Sequence, residues 1–310
     1  MTDRLFSDDE LTALGRSPWL ALPEAIEARQ FNEIEGIVTN LEVSCHAQID
    51  RYTGWISNIF GYFAQQWGHE GGATAARATR AFFASSPDTV GVGADDPAPG
   101  AAQIAIAATK RDRWIALDLF GELTARWRRS IDLHRDWISA LLSDIYRNHG
   151  PDQLEGILRY CGTQGLIGSI ERHIRRSPQE RLVDFVRLLH GHFTELSLSE
   201  DDRKFTITQD LCGTCSRQIL DGRFGPPLNL AVVEEPHAVT WGRGTTTIYR
   251  SHIPIWHVQM ARERIGVPWP VNQCPHGLDA GVCRILLYKD PYDPAAETEV
   301  PRAAPRTGEA

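Results

Sequence analysis

The sequence predicts an α+β protein. Its N-terminal two-thirds are mainly helical and carry an internal helical duplication, and a small α+β unit that binds metal through cysteine and histidine follows. Three observations predict this. Apolar residues recur with helical period from Phe31 to Gly68 and from Asp112 to Gly150. Alternating runs of strand type replace that pattern after about Leu198. Four of the six cysteines lie between Cys212 and Cys283, with His252, His257 and His276 among them. A length of 310 residues suggests about two domains. The boundaries are placed at residues 1–198 for the helical domain, 199–291 for the metal-binding domain and 292–310 for a disordered tail.

In chain order, the segment Phe31 to Gly68 is expected to be a helix that ends at a left-handed glycine. Ser85 to Gly100 is rich in Ser, Pro, Asp and Gly and reads as a mobile surface loop. Asp112 to Gly150 forms the second long helix, and shorter amphipathic helices follow at Asp152–Cys161 and Pro178–Leu189. The two long segments are related without a gap. Ile49, Asp50, Trp55, Ile56, Ser57, Gly68 and Arg77 recur as Ile131, Asp132, Trp137, Ile138, Ser139, Gly150 and Arg159, and Leu41 matches Leu123. The repeated units span about residues 41–77 and 123–159. Trp55 and Trp137 are expected in equivalent core seats about a pseudo-twofold axis. Asp50 and Asp132 are expected as surface or capping aspartates, since neither belongs to the Glu-x-x-His pattern of di-metal bundles. The arginines at 126, 128, 129 and 135 are expected on a solvated helix face.

Strands are expected at Lys204–Thr208, Leu228–Val233, Ala238–Trp241, Thr245–Tyr249 and Arg284–Tyr288. A single helix is expected from Pro254 to Ile265, with proline in its first turn and Gly266 at its end.

The chemistry lies in this last part. Cys212-Gly213-Thr214-Cys215 has the form of a metal knuckle, because glycine lets the backbone curl so that both sulfurs point to one ion. Cys274 and Cys283 supply a second, irregularly spaced pair, and four thiolates suit tetrahedral zinc. A competing set uses Cys212 or Cys215, one later cysteine and one of His252, His257 and His276, and these three ligands leave a fourth position open for water as catalytic zinc sites do. His252 and His257 are the candidate catalytic residues, as ligand or proton shuttle. Arg217 and Arg250 are candidate clamps for a substrate carboxylate. His190 and His192 could serve as a ligand pair or as turn residues, while Cys45, His46 and Cys161 are expected to be packing residues.

The favoured reading is a zinc-dependent enzyme of hydrolase or lyase type acting on a small carboxylate- or carbonyl-bearing substrate. The first alternative is a non-catalytic ligand- or partner-binding protein with a structural four-cysteine zinc site. The second is an iron-sulfur or dithiol redox protein. Zinc is the expected cofactor, with an iron-sulfur cluster less favoured. The sequence has no Gly-x-Ser-x-Gly, no phosphate-binding loop and no dinucleotide fingerprint. A net charge of −8 argues against a nucleic-acid partner. No apolar stretch approaches a bilayer span and the first residues do not resemble a secretory signal, so a cytoplasmic protein without membrane contact is expected. The oligomeric state is left open.

Overall fold

The computed structural model describes residues 4–28, 30–87, 101–109 and 112–301. Most of the expected loop from Ser85 to Gly100 lies outside the described residues. The architecture is mostly helical with a small antiparallel sheet near the C-terminus. Helices α1 (Asp8–Gly15) and α2 (Pro18–Glu27) precede α3 (Phe31–Ser85), α4 (Ala101–Thr109) and α5 (Arg113–Cys161). After a π-helical stretch at Gly162–Leu166 come α6 (Ile167–His173) and α7 (Pro178–Gly191). The start of α7 is written in its sequence. Ser177 accepts from the Glu180 amide, Glu180 returns to the Ser177 backbone, and Pro178 takes the first turn where no donor is needed.

Helices α3 and α5 form the centre of the helical body. Ile34, Val38, Leu41, Tyr52, Ile59 and Phe63 on α3 are buried with Leu123, Ile131, Ile138, Leu142 and Ile145 on α5. The spacing of three to four residues places each set on one helix face.

Both long helices run past the glycines expected to end them. Gly68 (φ 60°, ψ −139°) and Gly150 (φ 79°, ψ −177°) do adopt positive φ, but the chain resumes a helix beyond each. Asp152–Cys161 is therefore the second limb of α5, begun by Pro151, and not a separate helix. At the first kink the limbs fold back so closely that a Cβ on Gly71 would lie 2.0 Å from the Phe63 carbonyl oxygen. The two kinks meet each other, with Trp67 stacked on His149 at 4.4 Å. Trp137 Nε1 donates to Thr79 Oγ1 across the helix pair at 3.0 Å. The Trp55 indole lies against the Cys161 thiol, as a contact without full hydrogen-bond geometry.

The sheet has the order β1-β2-β6-β5, all neighbours antiparallel. Its strands are β1 (Glu195–Glu200), β2 (Lys204–Leu211), β5 (Val271–Gln273) and β6 (Cys283–Tyr288); a two-stranded pair, β3 (Val232–Val233) and β4 (Thr246–Thr247), stands apart. Phe205 and Ile207 alternate inward on β2 and pack with Leu182, Val186 and Leu189 of α7 and with Ile285 and Leu287 of β6. Three short helices lie in this region, α8 (Cys215–Leu220), α9 (Ala261–Ile265) and α10 (Ala295–Glu299).

Several expectations are corrected here. Ala238–Thr240 is a 3-10 turn and not a strand, held by the His237 ring accepting from the Val239 amide. The helix expected from Pro254 to Ile265 is π-wound over Pro254–Met260 and α only from Ala261. The tail expected to be disordered from 292 is ordered to Pro301: Ala296 and Val300 are buried, and Glu297 and Glu299 pair with Arg262 and Lys204. Residues 302–310 lie outside the described residues. Leu230, Val233, Val239, Ile248 and Trp256 share the core of α3 and α5, so the change of pattern near Leu198 is not a break in packing.

Candidate metal centre

The sheet brings the four late cysteines to one end. Strand β2 ends at Leu211, immediately before Cys212, and Cys215 opens α8. Cys283 is the first residue of β6 and lies opposite Gln209 of β2. Cys274 follows β5, whose last residue, Gln273, pairs with Arg284. Antiparallel pairing thus sets the knuckle, Cys274 and Cys283 side by side without any help from the sequence spacing between them. Gly213 is required at the knuckle, since a Cβ there would lie 2.0 Å from the His192 carbonyl oxygen. Its amide donates to Thr194 Oγ1 at 3.0 Å.

The thiols contact one another in a chain, Cys215 to Cys212, Cys212 to Cys283 and Cys283 to Cys274. Hydrogen bonds from Cys215 and Cys283 hold the Cys212 thiol well below the usual range, and the same bond raises Cys215. Cys274 is lowered by its bond to Cys283, which is itself raised. Cys212 Sγ also lies 3.1 Å from Thr214 Oγ1. Among the described residues, no group of three or more His, Cys, Asp or Glu side chains stands as a ready-formed metal cage.

Arg250 sits over this row and is fully buried. Its Nη1 donates to the carbonyls of Pro275 (2.8 Å) and Gly277 (3.0 Å), fastening the turn after Cys274. Its Nε has no acceptor. The groups that raise its pKa are Cys215, Cys274, Cys283 and Cys212, acting against burial, and among the described residues no carboxylate pairs with it. The expected substrate role of Arg250 therefore meets a side chain already engaged by the loop and the sulfurs.

Arg217 is placed similarly. It is buried and grips Asp132 through Nη2 (2.6 Å) and Nε (3.0 Å), while its remaining donors reach the His192 and Phe193 carbonyls. Arg135, expected on a solvated face, is also buried, paired with Asp132 (2.7 Å) and Asp136. Gln218 donates to Asp136 (2.8 Å) and Ser139 (2.8 Å). Helix α8 is thereby locked to α5 through buried charge, which is why Asp132 is interior whereas Asp50 is exposed. Arg126 is half-buried, and Arg128 and Arg129 are exposed.

His276 is exposed and does not join the sulfurs. His252 and His257 stand together, with ring centroids 6.0 Å apart. Burial pushes them down to about 3 and about 4 respectively, so both are neutral. A chain the sequence did not signal lies beside them: Tyr249 donates to Tyr52 (3.2 Å), whose hydroxyl lies 3.0 Å from His192 Nδ1. Only its position one helical turn before Trp55 marked Tyr52 as inward-facing. His190 contacts the Gly15 carbonyl at 3.4 Å. Cys45 and Cys161 are buried, and burial raises each thiol to about 12. His46 packs edge-on against Trp127.

A surface groove of about 410 Å³ opens beside Cys274, lined also by Arg243, Gln273, Asp279, Arg284 and Glu299. Among the described residues, no helix is long and apolar enough to cross a membrane. Comparison with known proteins returned no matching family model, no matching curated protein and no matching solved structure.

Proposed function

We propose that the chain binds one zinc ion through Cys212, Cys215, Cys274 and Cys283, as a closed tetrathiolate centre that holds the C-terminal sheet to the helical body. Arg250 carries this reading. A buried guanidinium without a counter-charge is unfavourable by several kcal/mol, and four neutral thiols supply none. Zinc with four thiolates has a net charge of −2, which Arg250 partly offsets from inside. Arg243, which feels Cys274, does so from the groove side. Tetrahedral zinc sets its sulfurs about 3.8 Å apart, given Zn–S bonds of about 2.3 Å, and the sheet register already brings Cys212, Cys274 and Cys283 to one end of the sheet. The first test is metal content with the visible spectrum of freshly purified protein. About one colourless zinc per chain, lost in Cys212→Ser and in Cys283→Ser, is the expected result. Unchanged metal in both variants sinks the site, and a brown iron-containing protein moves it to a cluster.

A second reading keeps the zinc catalytic, as a hydrolase or lyase centre for a small carboxylate. The groove supports it, because Cys274 is the least buried of the four cysteines and shares that groove with Arg243 and Arg284. Water in place of Cys274 would give the open position such chemistry needs. The absorption of the cobalt-substituted protein separates the two readings. A band that shifts on adding acetate favours the open site, and an unmoved band favours the closed one.

We also read the helical body as a duplication with swapped packing. Residues 79 and 161, and 67 and 149, are related by the same 82-residue offset as the repeated motif. Each repeat tryptophan rests on the second limb of the other helix at the equivalent position, Trp137 on Thr79 and Trp55 on Cys161.

A further inference from the structure

We propose that His252 and His257 form a second metal site, made of nitrogen donors and independent of the thiols, for a borderline divalent ion such as zinc. The helix winding is the first support. Residues five apart on an α-helix point about 140° from one another, whereas π-winding reduces that to about 50°. His252 lies two residues before the π-helical segment Pro254–Met260, and the π-wound part of the interval from 254 to 257 turns His257 toward it. Widening of this kind removes regular hydrogen bonds and recurs at functional sites. It is matched here by the π-helical segment Gly162–Leu166 lying directly against it. A Cβ on Gly162 would come within 2.9 Å of Trp256 Nε1.

The second support is the fixed tautomer of both rings. His252 Nδ1 lies 2.5 Å from the Tyr249 carbonyl oxygen, and His257 Nδ1 lies 3.0 Å from the Trp269 carbonyl oxygen. A carbonyl accepts only, so each Nδ1 carries the hydrogen and each Nε2 keeps its lone pair. This is the outer-shell arrangement that orients metal-binding histidines. Among the described residues, neither Nε2 has a hydrogen-bond partner.

The third support is distance. A metal about 2.0 Å from Nε2 lies about 3.2 Å from the ring centre, so two rings sharing one ion are at most about 6.4 Å apart. The observed separation is 6.0 Å, with the ring planes 68° apart, and closing to the roughly 5.2 Å of a tetrahedral angle takes a movement of under about 1 Å. Trp55 and Trp256 wall the His252 ring at 5.3 and 4.9 Å. Imidazole donors without a carboxylate beside them select zinc, nickel, cobalt or copper over magnesium and calcium. Two protein ligands leave the remaining positions to water or to a small ligand atom.

The experiment titrates the full-length reduced chain with Zn²⁺ and follows the imidazole ¹⁵N resonances, with metal stoichiometry measured in parallel. The expected result is movement of the Nε2 resonances of His252 and His257 while exposed His276 stays still. Stoichiometry falls by one equivalent in His252→Gln and in His257→Gln. Unmoved Nε2 resonances in the saturated wild-type chain overturn the proposal without reliance on any variant. If the thiols fail to bind, the histidine resonances still move and the wild-type stoichiometry is one equivalent lower, so the two readings fail separately.

Discussion

At the scale of single residues, the strongest statement concerns a cation. Arg250 is buried, ties down the Pro275 and Gly277 carbonyls, and among the described residues has only sulfur for counter-charge. Replacing it with glutamine removes that charge from beside the sulfurs of the proposed zinc centre and frees two carbonyls. We expect Arg250→Gln to lose stability by about 3 kcal/mol, the order seen when one partner of a buried pair is removed. Zinc bound at the proposed centre should be released to a competing chelator more readily from this variant than from the wild-type protein. Denaturant unfolding together with chelator competition checks this, and a variant with wild-type zinc retention would show that the sulfurs do not need the guanidinium. The late cysteines were legible in the sequence as a cluster, because clustering along the chain is a property of the chain, and the sheet brings them to one end. Arg250 was legible only as an arginine nearby. Its role depends on the fold of the turn from Pro275 to Gly277, which local pattern does not encode. His276 shows the converse: two residues from Cys274 in sequence, it points to solvent.

At the scale of elements, the two kinked helices carry the most information. Glycine at 68 and 150 was readable as a position of positive φ, and that much of the backbone is as expected. That the helix resumes beyond each was not readable, because a helix end and a kink use the same residue and differ only in what the following limb packs against. Gly150 stands in a region of φ and ψ essentially confined to glycine. Gly150→Ala should therefore cost about 1–3 kcal/mol in urea unfolding. Gly72, which lies within α3 with nothing near its absent Cβ, is the control. Gly72→Ala should be neutral or stabilising by up to about 1 kcal/mol. Equal effects at the two positions would mean that the kink is not held by backbone conformation. The short strands were less legible. Val232–Val233 and Thr246–Thr247 are two-residue pairs inside stretches expected as full strands, since β-rich composition there serves burial in the helical core and not sheet pairing. The π-winding at Pro254–Met260 left no mark in the apolar periodicity.

At the scale of the whole molecule, burial of neutral imidazole couples stability to pH. His190, His192, His252 and His257 lie at about 4, 3, 3 and 4, each lowered first by desolvation. In the unfolded chain each returns to about 6.5. Between those limits the unfolded state binds more protons than the folded one, so stability is full above about pH 6.5 and falls as pH drops toward 4. The loss at pH 5.5 is on the order of 1 kcal/mol for each such histidine. Glu200 and Asp293 act in the same direction but lower down. Both are held below their usual range, and their contribution is lost only as pH falls beneath about 4. The window from pH 7.5 to 5.5 therefore isolates the histidines from the acids. Release of zinc from the proposed centre on acidification would add to the fall, so the diagnostic comparison is with His190→Gln, a residue packed against the start of the chain through Gly15 and Trp19. The urea midpoint of the wild-type protein should drop across this window, and that of His190→Gln should drop less, by about one histidine's share. Parallel slopes for the two proteins would mean that His190 is hydrated in solution, and a midpoint that rises on acidification would contradict a neutral buried set altogether.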